Sequence, residues 1–167
     1  MVTPPATVLA RIKSDGDAVR TARQREAPLG DFWRGFDWPA LGRISGIYGS
    51  QRILNGQPRQ PHYGIDIAAP TGTPVYAPAS GLVTLVKDLY FSGWTVVIAH
   101  GLGVNSSFLH FDRVDVETGM IVERGGLIGK IGATGRATGP HLDWRIDWQG
   151  RRIDPGFLVG AMPDPAT

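Results

Sequence analysis

The chain has 167 residues, among them 23 glycines and 13 prolines, about a fifth of all positions against roughly 12% in average usage. That composition disfavours a helical bundle and favours short strands joined by tight turns, while 42% hydrophobic residues suffice for one core. With no cysteine and a net charge of +2, disulfide scaffolds, thiolate metal sites and a nucleic-acid footprint are excluded, so any metal must rest on histidines and carboxylates.

No window approaches the roughly 18 apolar residues a membrane span requires. The opening MVTPPATVLARIK has no basic start followed by an apolar stretch, so neither a span nor a signal peptide is expected in these residues. Over 7–25, Val8, Leu9, Ile12, Val19 and Ala22 fall at helical spacing despite Gly16, which predicts a short amphipathic helix within an N-terminal arm, 1–30. The main domain is expected over 31–160, with a tail at 161–167. Phe32, Trp33, Phe36 and Trp38 read as an apolar plug docking the arm. The segment 50–61, SQRILNGQPRQP, shows no periodicity and reads as a long polar loop, a kind of segment that often carries function.

Beyond Pro61 the texture changes. YGIDIAA, TPVYA, GLVTLV, WTVVIAH, NSSFLHF, GLIGKIG and HLDWRIDW are short, rich in β-branched and aromatic residues, and bounded by turn formers. They predict an all-β fold, a compact antiparallel sandwich or barrel-like domain with a short N-terminal helix.

Two of these segments hold the chemistry. In His62-Tyr63-Gly64-Ile65-Asp66, strand alternation puts the imidazole and the carboxylate on one face and Tyr63, Ile65 and Ile67 on the other. A surface ion pair would show the same spacing. In HLDWRIDW, Leu142, Trp144, Ile146 and Trp148 form an apolar face, opposite His141, Asp143, Arg145 and Asp147. Burial of that apolar set fixes the register, since a slip by one residue would drive the polar set into the core. His141 and Asp143 are thereby held side by side, in a reactive site or on a polar outer face where Asp143 pairs with Arg145. His110 lies in NSSFLHF and His100 ends WTVVIAH. Spacing leaves open whether these histidines converge on one groove.

The series GRISGIYGSQR, HYGIDIAAPTGTPVYAPASGLV, AHGLGVNSSFLHF and GGLIGKIGATGRATGPHLDW, across about 43–148, resembles the lysostaphin-type, or LytM-type, zinc endopeptidases of the duplicated hybrid motif fold. The resemblance implies a zinc metalloendopeptidase, a peptidoglycan hydrolase cutting peptide stems or cross-bridges. It also implies a periplasmic or extracellular envelope location, with a signal and further modules upstream. One zinc per chain is implied on His62, Asp66 and the residue at 143, with His141 and His110 as catalytic histidines. The glycines 132, 135 and 139 and the 50–61 loop would wall a groove for an extended peptide.

The sequence departs from that pattern at Asp143, where the family places a histidine ligand. Zinc accepts carboxylate oxygen at about 2.0–2.2 Å, so aspartate can serve. A His and two carboxylates would neutralise the dication, whereas His, Asp and His leave a formal charge of +1. Capture of Asp143 by Arg145 would instead leave two ligands. The chain would then be a non-enzymatic relative that binds the wall or activates a partner hydrolase. A third reading, a phosphotransfer domain using histidine without zinc, is opposed by the H-x-x-x-D pair.

Overall fold

The computed structural model describes residues 5–51, 53–54, 56–58 and 60–163. Expectations about 1–4, about 164–167 of the tail and about Arg52, Asn55 and Arg59 of the polar loop lie outside the described residues.

Helix α1, Ala6–Gln24, follows the predicted span within a residue. Its N-terminus has no side-chain cap, and a mid-helix glycine such as Gly16 costs about 1 kcal/mol relative to alanine, so tertiary contacts must hold it. Asp15, buried, accepts from Tyr90 N at 2.8 Å and pairs with Lys87 at 3.3 Å. At the other end Arg23 pairs with Asp147 at 3.0 Å and donates to Ser107 Oγ at 3.0 Å.

The strands are β1 (Arg43–Gly46), β2 (Ile53–Leu54), β3 (Gln57–Pro58), β4 (Ile65–Ala68), β5 (Pro74–Tyr76), β6 (Gly81–Leu89), β7 (Gly93–Gly101), β8 (Val104–Val114), β9 (Ile121–Val122), β10 (Leu127–Ile131), β11 (His141–Trp148) and β12 (Arg151–Ile153). All seven sequence-predicted segments are strands. Ten strands form one antiparallel sheet with the path β1-β4-β11-β8-β7-β6-β9; β10 pairs with β5 and β8, and β12 with β11. The sheet is open, ending at β1 and β9. The polar loop carries a separate two-stranded ladder, β2 with β3, which its lack of periodicity had not suggested. Among the described residues no helix is long and apolar enough to cross a membrane.

Ile67, Phe108, Phe111, Leu142, Trp144 and Ile146 form the centre of the core, each at most 1% exposed. Phe36 is buried within it and Phe32 and Trp38 pack against it, but Trp33 stays 72% exposed and takes no part in the plug. The other face of the central strands is covered too, since Arg23 of α1 reaches β8 and β11. Both faces being covered, β8 is buried at every position from Val104 to Phe111, and Asn105, Ser106 and Ser107 are buried polar residues. The polar side of β11 is accordingly no solvated outer face, with Asp143 and Asp147 both buried. Trp148, expected in the core, is half exposed because β11 turns there into β12 beyond the edge of the core.

Candidate metal and catalytic site

Strand β4 sits between β1 and β11, with Asp66 opposite Asp143 in the ladder. His62 precedes β4 instead of belonging to it, and its backbone is tied to the preceding turn, N to Ser50 O at 3.0 Å and O from Gly49 N at 2.7 Å. The expected meeting of imidazole and carboxylate occurs even so, with His62 Nε2 2.9 Å from Asp66 Oδ1. His62, Asp66 and Asp143 each offer a ligand atom, and these atoms lie within 4.8 Å of one another. A glycine lies against each of the two carboxylates. A Cβ on Gly46 would collide with the Asp66 carboxylate, and one on Gly64 would lie 2.6 Å from Asp143 Oδ1.

His110 arrives through a β-bulge. Between the pairs Trp94↔Phe111 and Val96↔Phe108 the register shifts, so that Leu109 and His110 oppose Thr95 alone. His110 itself has φ +70°, the left-handed region that non-glycine residues seldom occupy, and bulges re-aim side chains in this way. The His110 and His141 rings stand 4.7 Å apart, and His141 Nε2 is 4.0 Å from Asp66 Oδ1. In each ring Nδ1 faces a backbone carbonyl, Thr134 O at 2.8 Å from His110 and Gly139 O at 2.9 Å from His141. A carbonyl only accepts, so both Nδ1 atoms carry the proton, and Nε2 of each neutral ring is the acceptor. Burial pushes His110 below its usual pKa despite its Thr134 bond, with His141 adding to the depression.

Arg145 donates to Asp143 from Nε to Oδ1 at 2.8 Å and from Nη2 to Oδ2 at 2.5 Å. Burial acts to raise the Asp143 pKa, but these bonds and the guanidinium charge outweigh it and hold the carboxyl below its ordinary value. Of the alternatives open for Asp143, pairing with Arg145 and proximity to the His62–Asp66 pair are thus realised together.

His100 stands apart from this site. It is fully buried between Ser80 O at 2.8 Å and Ser106 Oγ at 2.9 Å, edge-on to Phe36, and desolvation lowers its pKa to about 4. A cavity of about 1230 Å³ borders the site, lined by His110, Asp143, Arg145 and Arg152 from the sheet and by Val19 and Arg23 from α1. Of the expected groove walls, Gln60 of the 50–61 segment lines this cavity, and Gly132 and Gly135 make close local contacts. Gly132 bridges to His141, and Gly135 lies close enough to Gly93 that a Cβ would collide. Sequence reasoning missed α1 as the cavity wall, along with the carbonyls of Thr134 and Gly139, which no side-chain identity announces.

Comparison with known proteins places this geometry. Residues 60–155, more than half of the chain, match the model of peptidase family M23, and the chain belongs to that family. This agrees with the lysostaphin-type resemblance and removes the phosphotransfer reading. The chain is 36% identical over 141 residues to the peptidoglycan DD-endopeptidase ShyA of Vibrio cholerae, an alignment covering 84% of this chain and 30% of that protein. It thus spans under a third of that relative's length. Among solved structures it resembles a putative peptidase M23 from Pseudomonas aeruginosa, with TM-score 0.74 and 36% identity over 96% of this chain and 66% of that one. It also resembles a zinc-containing peptidase from Vibrio cholerae, with TM-score 0.69 and 32% identity over 78% of this chain and 41% of that one.

The donor set fits the zinc that this family implies. One imidazole nitrogen and two carboxylate oxygens are hard-to-borderline donors of the kinds zinc accepts, and three protein ligands leave a position open for reaction. A carboxylate has about four lone-pair positions, and Arg145 uses one on each oxygen of Asp143, so this pairing does not by itself exhaust the carboxylate's capacity as a metal ligand.

Proposed function

We propose that the chain is a zinc-dependent metalloendopeptidase that hydrolyses peptide bonds in peptidoglycan stems or cross-bridges, with one zinc held by His62, Asp66 and Asp143. Bound there, zinc would supply the Lewis acid that makes water a competent nucleophile near neutral pH. His110 and His141 supply the proton transfers. Each presents Nε2 as a base, because Nδ1 is committed to a carbonyl, and the depressed pKa of His110 keeps that ring neutral and ready to accept. The protonated form of either ring can return the proton to the leaving amine.

The observation that carries this reading is the juxtaposition of two rings of fixed tautomer, 4.7 Å apart, with a three-donor cluster. The cavity between α1 and the sheet offers room for an extended peptide beside it. The name of ShyA supports peptidoglycan as substrate, and with it action in the bacterial envelope, periplasmic or extracellular. In this reading 1–30 is an N-terminal arm, whose helix α1 lines the cavity, 31–160 the peptidase domain and 161–167 a tail.

The test is digestion of purified peptidoglycan by the full chain, followed by separation of the products. Cross-linked fragments should be consumed with zinc, spared after chelation and consumed again when zinc is restored. Consumption no greater than that by His62→Ala would overturn the proposal in favour of metal-free wall binding or activation of another hydrolase.

A further inference from the structure

We infer that Arg145 is a positioning residue of the metal centre, which by pairing with Asp143 gives an aspartate ligand the net charge of a neutral one. The inference rests on the zinc reading above.

Asp143 is 1% exposed, and both of its oxygens are held by one guanidinium. The space for that planar fork comes from Gly64, where a Cβ would lie 2.6 Å from Asp143 Oδ1 and 2.8 Å from Arg145 Cγ. The side chain of Arg145 is only 23% exposed, so its charge is weakly screened and acts on anything Asp143 binds. Zinc with two carboxylates and one neutral histidine has a formal charge of zero. Adding the guanidinium of Arg145 makes it +1, the value that zinc has with one carboxylate and two neutral histidines. A centre of higher net charge pulls harder on its water and on a substrate carbonyl. Asp143 and Arg145 therefore form one unit of exchange, in which an aspartate with its arginine is electrostatically equivalent to a histidine alone. Neither half is equivalent by itself, because Asp143 without Arg145 lowers the net charge of the centre by one and Arg145 without Asp143 raises it by one.

Zinc dissociation constants, measured by competition with a chromogenic chelator at one pH and ionic strength, test this on wild type, Arg145→Gln, Asp143→His and the double variant. Circular dichroism first checks that each is folded. Arg145→Gln, with net charge zero, should bind zinc about tenfold or more tightly than wild type. Asp143→His, with +2, should bind about tenfold or more weakly, and the double variant, back at +1, should return to within about threefold of wild type. Arg145→Lys, which keeps the charge on a different geometry, should stay close to wild type and provides the comparison if Asp143→His fails to fold. A double variant no tighter than Asp143→His, or an Arg145→Gln no tighter than wild type, would overturn the role of Arg145. Wild type and double variant both without zinc would contradict the zinc reading itself, a result distinct from zinc binding at one affinity throughout, which contradicts only the charge role.

Discussion

Arg145 grips the carboxylate of Asp143 with two hydrogen bonds, 2.8 Å from Nε and 2.5 Å from Nη2, while the same carboxylate lies within 4.8 Å of ligand atoms on His62 and Asp66. One buried aspartate thus answers to an arginine on its own strand and to a donor cluster formed with the neighbouring β4 segment. Removing it should have two effects. Asp143→Ala takes from a mostly buried guanidinium the carboxylate it pairs with and leaves it the charge of Asp66, for which the cost is about 3 kcal/mol, the low end for broken buried pairs because Arg145 keeps that charge and some contact with water. Denaturant unfolding of the metal-free chain reads that loss, and zinc titration of the same variant should show affinity sharply reduced.

The two remaining donors and the two histidines proposed to transfer protons should separate cleanly. His62→Ala or Asp66→Ala abolishes bound zinc in elemental analysis of purified protein. His110→Ala and His141→Ala keep the metal but lose about 10²-fold or more in hydrolysis, the range of general acid and base groups. Loss of zinc in either of the latter would make that histidine a ligand.

Gly64→Ala probes the space behind the pair. The added Cβ meets Asp143 Oδ1 at 2.6 Å and the backbone oxygen of Trp144 at 2.7 Å, and the backbone atom of a central strand cannot step aside cheaply. A destabilisation of about 1–3 kcal/mol is expected, typical of overpacking, together with weaker zinc binding. Unchanged stability and unchanged affinity would show that β4 and β11 can separate freely.

Stability should also fall with acid through His100, remote from the site. Its folded-state pKa is about 4 against about 6.5 unfolded. The unfolded chain therefore binds more protons between those values, and stability rises with pH across that window. Lowering the pH from 7 to 4 should remove about 3 kcal/mol by this group alone. Urea unfolding of wild type and His100→Gln at both pH values measures it, and an equal pH dependence in the two would contradict the assignment.

Much of this architecture was legible in the chain itself, because the signals were local. The seven apolar runs became strands, α1 kept its bounds within a residue, and Leu142, Trp144 and Ile146 all turned inward as alternation demanded. Alternation failed at Trp148 because it reports a face and not where the core ends. Strands such as β9, two residues long, are too short to show any period. Residue type and spacing put forward His62 with Asp66 and His141 with Asp143, while His110 was set apart from His100 only by the family resemblance; the convergence of all five depends on β11 lying between β4 and β8, a long-range pairing. Nor does anything near His110 announce a bulge with positive φ. The cover over the second face of the sheet rests on contacts such as Arg23 with Asp147, between residues at opposite ends of the chain, and so no window of sequence contains it.

Zinc K-edge X-ray absorption of the metal-loaded chain tests the central claim most directly, because multiple scattering counts imidazoles among the ligands. The site assigned here predicts one imidazole, from His62, with the other nearest neighbours oxygen atoms at about 2.0–2.2 Å. Two imidazoles would place His110 or His141 on the metal and contradict the assignment of Asp143 as the third ligand.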